Sequence, residues 1–469
     1  MDFSSSSRSR LDSFLSNPQK ALWTLAIPIM FGMGIHTLYN LVDMLFIGRL
    51  GGDAIAGVAF NMPIFFLMLG LTMGLGSGVT SAIARLIGKK DKKNADNTAE
   101  HAVAIAFFIA SVFTLLGIIY GKDILFFLGA EGNILIIAWD YLSMIILGLP
   151  FMVFSGFFRS ILAGEGDMKF PMIVAGFGTV LNTLLDPIFI FELKNYGNIG
   201  FGMGVRGAAF ATVISQLIVF LIFVYMLFIK QHSFITFKLK AFKASRLILW
   251  DIIKVGLPAS LSMIIMAVGQ AIFNKILIFY SSQTVAAYQI AGRLDMLIFL
   301  PIFAIAGAMT TLVGMFYGAK KIFALNQIIK YGIFSAFIIT LLSSTFIYFF
   351  ADIFSSFFTK DQEVINVSVK CLRLLSLIYP LVAIAITSGR VMQGLGRGLP
   401  VLVITIIRVL GVSAPLGIYF SFYLGKPVEW NWYAMIVAAI IAFIIAIFWV
   451  SHEIKKINEN YGGKNESFN

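Results

Sequence analysis

The sequence predicts an all-α integral membrane fold: twelve transmembrane helices in two six-helix lobes, related by pseudo-two-fold symmetry about the membrane normal. Three observations carry that prediction. Of the 469 residues, 59% are hydrophobic and 12% charged, at a mean hydropathy of +0.92. An ordinary soluble domain carries about 25% charged residues, and a water-soluble fold of this size cannot hide so much apolar surface. The basic residues gather in alternate loops, and the helix-breaking punctuation of the first half returns in the second. A soluble enzyme, a disordered chain and a fibrous repeat are excluded. The single cysteine, Cys371, rules out an intrachain disulfide framework and reads as a packing residue.

Residues 1–17, with Ser4 to Ser7 and Arg8, read as a polar, mobile cytoplasmic tail. Twelve apolar segments follow, at about 18–47, 54–87, 95–121, 133–158, 168–192, 205–230, 248–280, 284–318, 323–351, 363–393, 399–424 and 431–454. Each reaches the roughly 20 residues that cross a hydrocarbon core. They lack period-two alternation, so they read as helices and not barrel strands. The first is too long for a cleaved signal peptide and reads as a retained span. The domains follow: tail 1–17, first lobe 18–230, cytoplasmic linker 231–247, second lobe 248–456, tail 457–469.

Loop charge sets orientation. One side collects twenty-three Lys and Arg, among them Arg85, Lys89, Lys90, Lys92 and Lys93, then Arg159 and Lys169, and later Arg390 and Arg397. The other side has six: Arg49, Lys122, Lys194, Arg206, Lys360 and Lys426. Basic loops stay inside, so both termini are expected in the cytoplasm of a multi-pass cell-membrane protein. Shifting the chain by 230 residues lays Pro28 on Pro258, Thr80 on Thr310, Gly88 on Gly318 and Lys90 on Lys320. Six spans per half give both halves the same orientation, as in parallel-repeat transporters, with a binding cavity between them near the midplane.

Two acids stand inside the apolar runs, Asp43 and Asp186, although an Asp at a span centre costs about 2.5–3.5 kcal/mol on insertion scales. At 1.5 Å per residue, Asp43 lies about 8 Å, Asp186 about 9 Å and Thr212 about 10 Å from the outer ends of the first, fifth and sixth spans. Asn182 shares a helical face with Asp186, and Tyr39 with Asp43; Asn40 precedes Asp43 by three. These oxygens suit a proton or a hard cation such as Na⁺. The plainer alternative is that each Asp sits at an aqueous rim. The repeat acts as a control: Asp43 falls opposite Phe273, and Asp186 opposite Pro415. The second half is therefore expected to lack both acids and the ion site to be confined to the first lobe.

Pro28 removes the hydrogen bond to the Thr24 carbonyl and permits a bend that would move Asp43; a static kink is the equal alternative. Pro187 releases the Thr183 carbonyl in the same way. His36 could titrate but reads first as packing, and Arg408 is a costly buried cation. Gly70, Gly74, Gly76 and Gly78 read as close helix packing and not as a phosphate loop, since no strand precedes them. The sequence has no metalloprotease helix, nucleophile elbow or Walker motif, so it reads as a non-enzyme driven by an ion gradient.

Together these features resemble the MATE (multidrug and toxic compound extrusion) family over about residues 18–456. The carriers are Leu25-Ala26-Ile27-Pro28 through Val42-Asp43 to Ile47-Gly48-Arg49-Leu50-Gly51, Leu181-Asn182 to Asp186-Pro187, Arg206-Gly207-Ala208-Ala209 to Thr212, and Gln393-Gly394-Leu395-Gly396. The resemblance implies a two-lobed antiporter that exports organic cations or other drug-like amphiphiles against Na⁺ or H⁺. It needs no further cofactor and no nucleic-acid partner, and it is expected to act as a monomer in the lipid bilayer. Asp43, Asn182, Asp186 and Thr212 match the first-lobe ion ligands of the DinF-like prokaryotic branch, and would hold the Na⁺ if Na⁺ is the ion. The acid that another branch carries in the seventh span is Met266 here. The alternative is a flippase for lipid-linked saccharides of related architecture; Arg408 favours it mildly, the paired acids oppose it.

Overall fold

The structure, a computed structural model, describes residues 5–192, 200–237 and 242–461, the side chains of 5–9, 40, 41 and 461 excepted. Arg8 and Asn40, as side chains, and Lys194, Lys238, Lys240 and Lys464 therefore lie outside the described residues, as does the tail beyond 461. The described chain runs α1 (Ser5–Ser16), α2 (Pro18–Gly48), α3 (Gly52–Ala59), α4 (Met62–Gly88), α5 (Lys92–Phe127), α6 (Gly132–Gly164), α7 (Lys169–Ile190) and α8 (Val205–Val224). It continues with α9 (Arg246–Ile278), α10 (Ser282–Gly318), α11 (Ile322–Phe358), α12 (Gln362–Ser376), α13 (Tyr379–Gly394), α14 (Leu399–Ile406), α15 (Ala414–Ile418) and α16 (Glu429–Tyr461). Eleven described helices are long and apolar enough to cross a membrane, and twelve if α12 and α13, bent by 56°, form one broken span.

The ends of these helices are written in the sequence. Asn17 accepts from the Lys20 N–H at 3.0 Å with Pro18 opening α2, and Asp91, Ser245, Ser281 and Asp361 cap α5, α9, α10 and α12 in the same manner. The repeat extends to the backbone. Lys90 and Lys320 both take positive φ, at 59° and 56°, and Gly166 and Gly396 do so at 76° and 85°. The Thr80 hydroxyl donates to the Ser160 carbonyl, and its counterpart Thr310 to the Arg390 carbonyl.

The two lobes meet along a seam rich in small residues. A Cβ on Gly74 would stand 2.2 Å from Ser260 Oγ, and one on Gly78 2.3 Å from the Ile252 carbonyl, so only glycine allows these backbones to approach. Gly76 packs as closely, on Ser160 within its own lobe, whereas Gly70 has room for a Cβ, its nearest neighbour Met263 lying at 3.5 Å. Further along, Gly88 lies against Met315 and Gly318 against Arg85. Arg85 also pairs with Asp251 of α9 at 2.7 Å and donates to Ser81, which donates to the Gln393 carbonyl. The seam thus tightens toward the end of the bundle that carries α1 and the linker, called the basic end below.

Three expectations need correction, and the linker shows one further feature. Residues 5–16 are helical, and Leu11 and Phe14 are buried in the main core with Leu15 packed beside them, because the three form an apolar stripe at i, i+3, i+4. The linker is held to the first lobe: Glu165 accepts from Ser233 Oγ and from the Phe234 and Ile235 N–H groups, Asp96 from Thr236, and Asp167 meets His232. Arg159 and Arg390 lie within α6 and α13 and not in loops. The second and tenth spans are each in two pieces, split at Phe60–Asn61 and at Leu377–Ile378.

Candidate functional site

The first-lobe candidates come from three helices. Asp43 and Tyr39 project from the outer part of α2, Asn182 and Asp186 from one face of α7, and Thr212 from the second turn of α8. Asp186 is completely buried and Asn182 nearly so, at 3% exposure, because both face the packed interior between α7 and α8. Asn182 Nδ2 donates to Asp186 Oδ1 at 3.2 Å. The other amide oxygen, Asn182 Oδ1, and the other carboxylate oxygen, Asp186 Oδ2, are sealed from solvent without a hydrogen-bond partner among the described residues. Buried acceptors left in this way cost about 1–3 kcal/mol each, more when charged. The fold keeps two together.

Asp43 is half-buried and lies within electrostatic reach of Asp186. The Tyr39 hydroxyl stands beside Thr212 and close to both acids. Thr212 donates to the Ala208 carbonyl at 3.1 Å, so its oxygen lone pairs remain free to accept. The five predicted residues are thereby brought close together. The donor set is all oxygen, with a carboxylate pair and neutral amide and hydroxyl oxygens. Such a set fits a proton or a hard monovalent cation and does not favour a soft metal.

Sequence reasoning missed Tyr141 of α6, which is 8% exposed and lies near both Asp43 and Asp186. A tyrosine amid apolar residues gives no periodic signal of its own; the packing of α6 on α8, and of α8 on α7, brings it to the acids. His36 packs edge-on to Tyr39 at 6.1 Å and lies near Arg159, so it borders the site from the same helix. Pro28 lies inside a continuous α2, and Pro187 inside α7. Opposite Asp186 in the repeat, Pro415 sits between two π-helical stretches, Ile407–Ser413 and Tyr419–Tyr423. The second lobe does lack acids at the two repeat positions, but it is not free of them: Asp295 lies well inside α10, and Tyr379 donates to it. The repeat gives no sign of it, because Asp295 falls opposite Phe65 and not opposite an acid. Arg408 sits in the first π-helical stretch near Tyr288.

Comparison with known proteins agrees with this arrangement. The family profile MatE matches twice, at residues 28–188 and 258–419. The two matches begin 230 residues apart, at the prolines of the repeat. The probable multidrug resistance protein NorM of Thermotoga maritima is 28% identical over 89% of this chain and 89% of its own. A MATE transporter solved in its bent conformation superposes with a TM-score of 0.90 at 32% identity, over 96% of this chain and 99% of that one. A Pyrococcus furiosus transporter of the MOP superfamily, described as having a binding pocket of reverse polarity that suggests a different function, matches with a TM-score of 0.88 at 33% identity, over 94% and 97%.

Proposed function

The chain belongs to the MatE family, and from that premise we propose that it is a secondary multidrug efflux transporter whose coupling ion enters at Asp43 and Asp186. Several relatives named as multidrug resistance or export proteins support the substrate class. The observation that carries the ion site is the pair of sealed, unpartnered oxygens on Asn182 and Asp186. Two carboxylates and an orphaned amide oxygen inside a helical bundle are costly unless a cation or a proton completes them.

The mechanism follows from charge. With the basic end cytoplasmic, the close contacts of Gly78, Gly88 and Arg85 shut the lobes on that side, and the ion approaches from the other. A proton or Na⁺ arriving from outside neutralises the Asp43–Asp186 pair, with Thr212 and Tyr39 supplying further oxygens. Neutralisation removes the cost of packing α2 against α7 and α8. It favours a different path of α2 beyond Pro28, where the missing hydrogen bond to Thr24 leaves the helix free to bend. The ion drives export only to the extent that it binds the two states with different affinity. Arg159 and Arg293 are exposed inside spanning helices and, like Arg408, form no ion pair among the described residues. That observation favours a second reading, in which the cargo carries an anionic head, as a lipid-linked saccharide does.

The test is transport of a fluorescent cationic dye in proteoliposomes under a Na⁺ gradient or a pH gradient, each imposed alone. Movement under one gradient, lost in Asp43→Asn, supports the proposal and identifies the ion. Efflux that survives both Asp43→Asn and Asp186→Asn at the wild-type rate contradicts it. No dye movement under either gradient, with movement of an anionic amphiphile instead, supports the second reading.

A further inference from the structure

The second lobe holds a carboxylate inside the membrane span that the first-lobe mechanism leaves unused. Asp295 lies fourteenth in α10, between the buried residues Leu294 and Ile298. These belong to an apolar cluster with Leu372, Leu375 and Tyr379. The Tyr379 hydroxyl, itself 3% exposed, donates to Asp295. Tyr379 is the first residue of α13, immediately after the break at which the tenth span bends by 56°. Asp295 therefore ties the eighth span to the hinge of the tenth.

The charges around it are few. Cys371 of α12 and Tyr288 and Tyr379 are the titratable groups within its electrostatic reach. Arg408, from the π-helical stretch of the eleventh span, acts on Tyr288. Asp295 has no Lys or Arg within ion-pair distance among the described residues, unlike Asp251, which has both. Half-buried, it lies between exposed Gly292 and Met296, so a small ion has a way in. An uncompensated carboxylate in a spanning helix persists when it has work to do.

We propose that Asp295 is a proton-binding site of the second lobe, and that the bend of the tenth span reports its protonation through Tyr379. A metal ion is a poor fit: one carboxylate and one phenol fall far short of the six to eight oxygens a hard cation such as Ca²⁺ collects, and no three metal-ligating side chains converge among the described residues. A proton needs only one carboxylate oxygen. Ionised, Asp295 accepts from Tyr379 and holds the start of α13 against α10. Protonated, the carboxyl accepts more weakly, and the hinge at Leu377–Ile378 is released. The proposal rests on the reading of the chain as an ion-coupled antiporter and gives its second lobe an ion site of its own.

Infrared difference spectra of the full-length protein in lipid, recorded between acidic and alkaline pH, test it. The background carries Asp43→Asn and Asp186→Asn, so that the first-lobe acids are silent. The expected result is a protonated-carboxyl carbonyl band that Asp295→Asn abolishes and Tyr379→Phe moves to higher frequency, because that carbonyl loses its donor. Asparagine keeps the size of the side chain and an acceptor for Tyr379, so the variant retains the fold. A carboxyl spectrum unchanged by Asp295→Asn overturns the proposal, and a band unmoved by Tyr379→Phe overturns its link to the hinge. The antiport reading stands or falls separately, on whether Asp43→Asn alone abolishes gradient-driven dye efflux.

Discussion

Asn182 and Asp186 make one side-chain hydrogen bond with each other and leave one oxygen apiece unpartnered in a sealed space. This gives the residue-scale test of the coupling ion. If the ion is Na⁺, Asn182 Oδ1 and Thr212 Oγ1 are ligands in their own right. Asn182→Ala or Thr212→Ala then raises the half-saturating Na⁺ concentration about tenfold, the effect of losing about 1.4 kcal/mol of binding. If the ion is a proton, it is held by the carboxylates, and Thr212→Ala leaves the pH dependence of transport within about twofold of wild type, under 0.5 kcal/mol. Measuring initial dye-efflux rates against Na⁺ and against pH separates the two. Glu165, in the loop after α6, offers a residue-scale prediction on stability. Burial pushes its carboxyl above the ordinary value of 4.5, against the opposing pull of Ser233, the Phe234 and Ile235 N–H groups and Arg10. The folded protein therefore holds this proton to higher pH than the unfolded chain. The associated stability is complete below the ordinary Glu value and is lost as pH rises through the raised one. Thermal unfolding followed across that window should show a decline in wild type that Glu165→Gln flattens.

At the scale of the helix, Pro28 is the element-level switch of the proposal. Pro28→Ala restores the hydrogen bond to the Thr24 carbonyl and straightens the preference of α2. The expected outcome is a protein of equal or higher thermal stability whose gradient-driven efflux falls about tenfold, as a bias of about 1.4 kcal/mol toward the straight form would produce. Unchanged efflux would make Pro28 a static kink. Sequence periodicity served the helices well, because an apolar run of membrane length has one physical reading. The starts of α2, α9 and α10 fall within two residues of the expected segments. It served breaks poorly. The bend at Leu377–Ile378 has no glycine, and its following Pro380 is as suited to opening a helix as to ending one. The π-helical stretch at Ile407–Ser413 holds Gly411 and precedes Pro415, but neither residue tells a widened turn from a kink. The acid pair was readable because each Asp stood alone in an apolar run with a polar residue four positions away. Tyr141 and the Tyr379–Asp295 contact were not, since they join helices far apart in sequence and depend on packing.

For the whole molecule, alternating access requires that the seam at the basic end open, and the one ionic contact between α4 and α9 among the described residues is the place to weigh that step. Arg85 is 8% exposed at its side chain and reaches Asp251 at 2.7 Å, while Asp251 also holds Lys254 within its own lobe. Arg85 also donates to Ser81 on its own helix and to the Gly394 carbonyl across the seam, so two of its partners are lost when the lobes part. Asp251→Asn removes the charge partner and keeps the shape. The closed seam then retains a largely buried cation with weaker partners, a cost of about 1–3 kcal/mol that the open state, where Arg85 is hydrated, does not share. The population open at the basic end should therefore rise about fivefold or more. The glycine contacts of Gly74 and Gly78 are unchanged by this substitution, so a shift reports the ion pair and not the packing. Spin labels at Lys89 and Lys321, in the turns that flank the seam in the two lobes, read the result directly as a longer distance component in Asp251→Asn. The same distance distribution in variant and wild type would show that the close approach of the glycine backbones, and not the Arg85–Asp251 pair, holds the basic end shut.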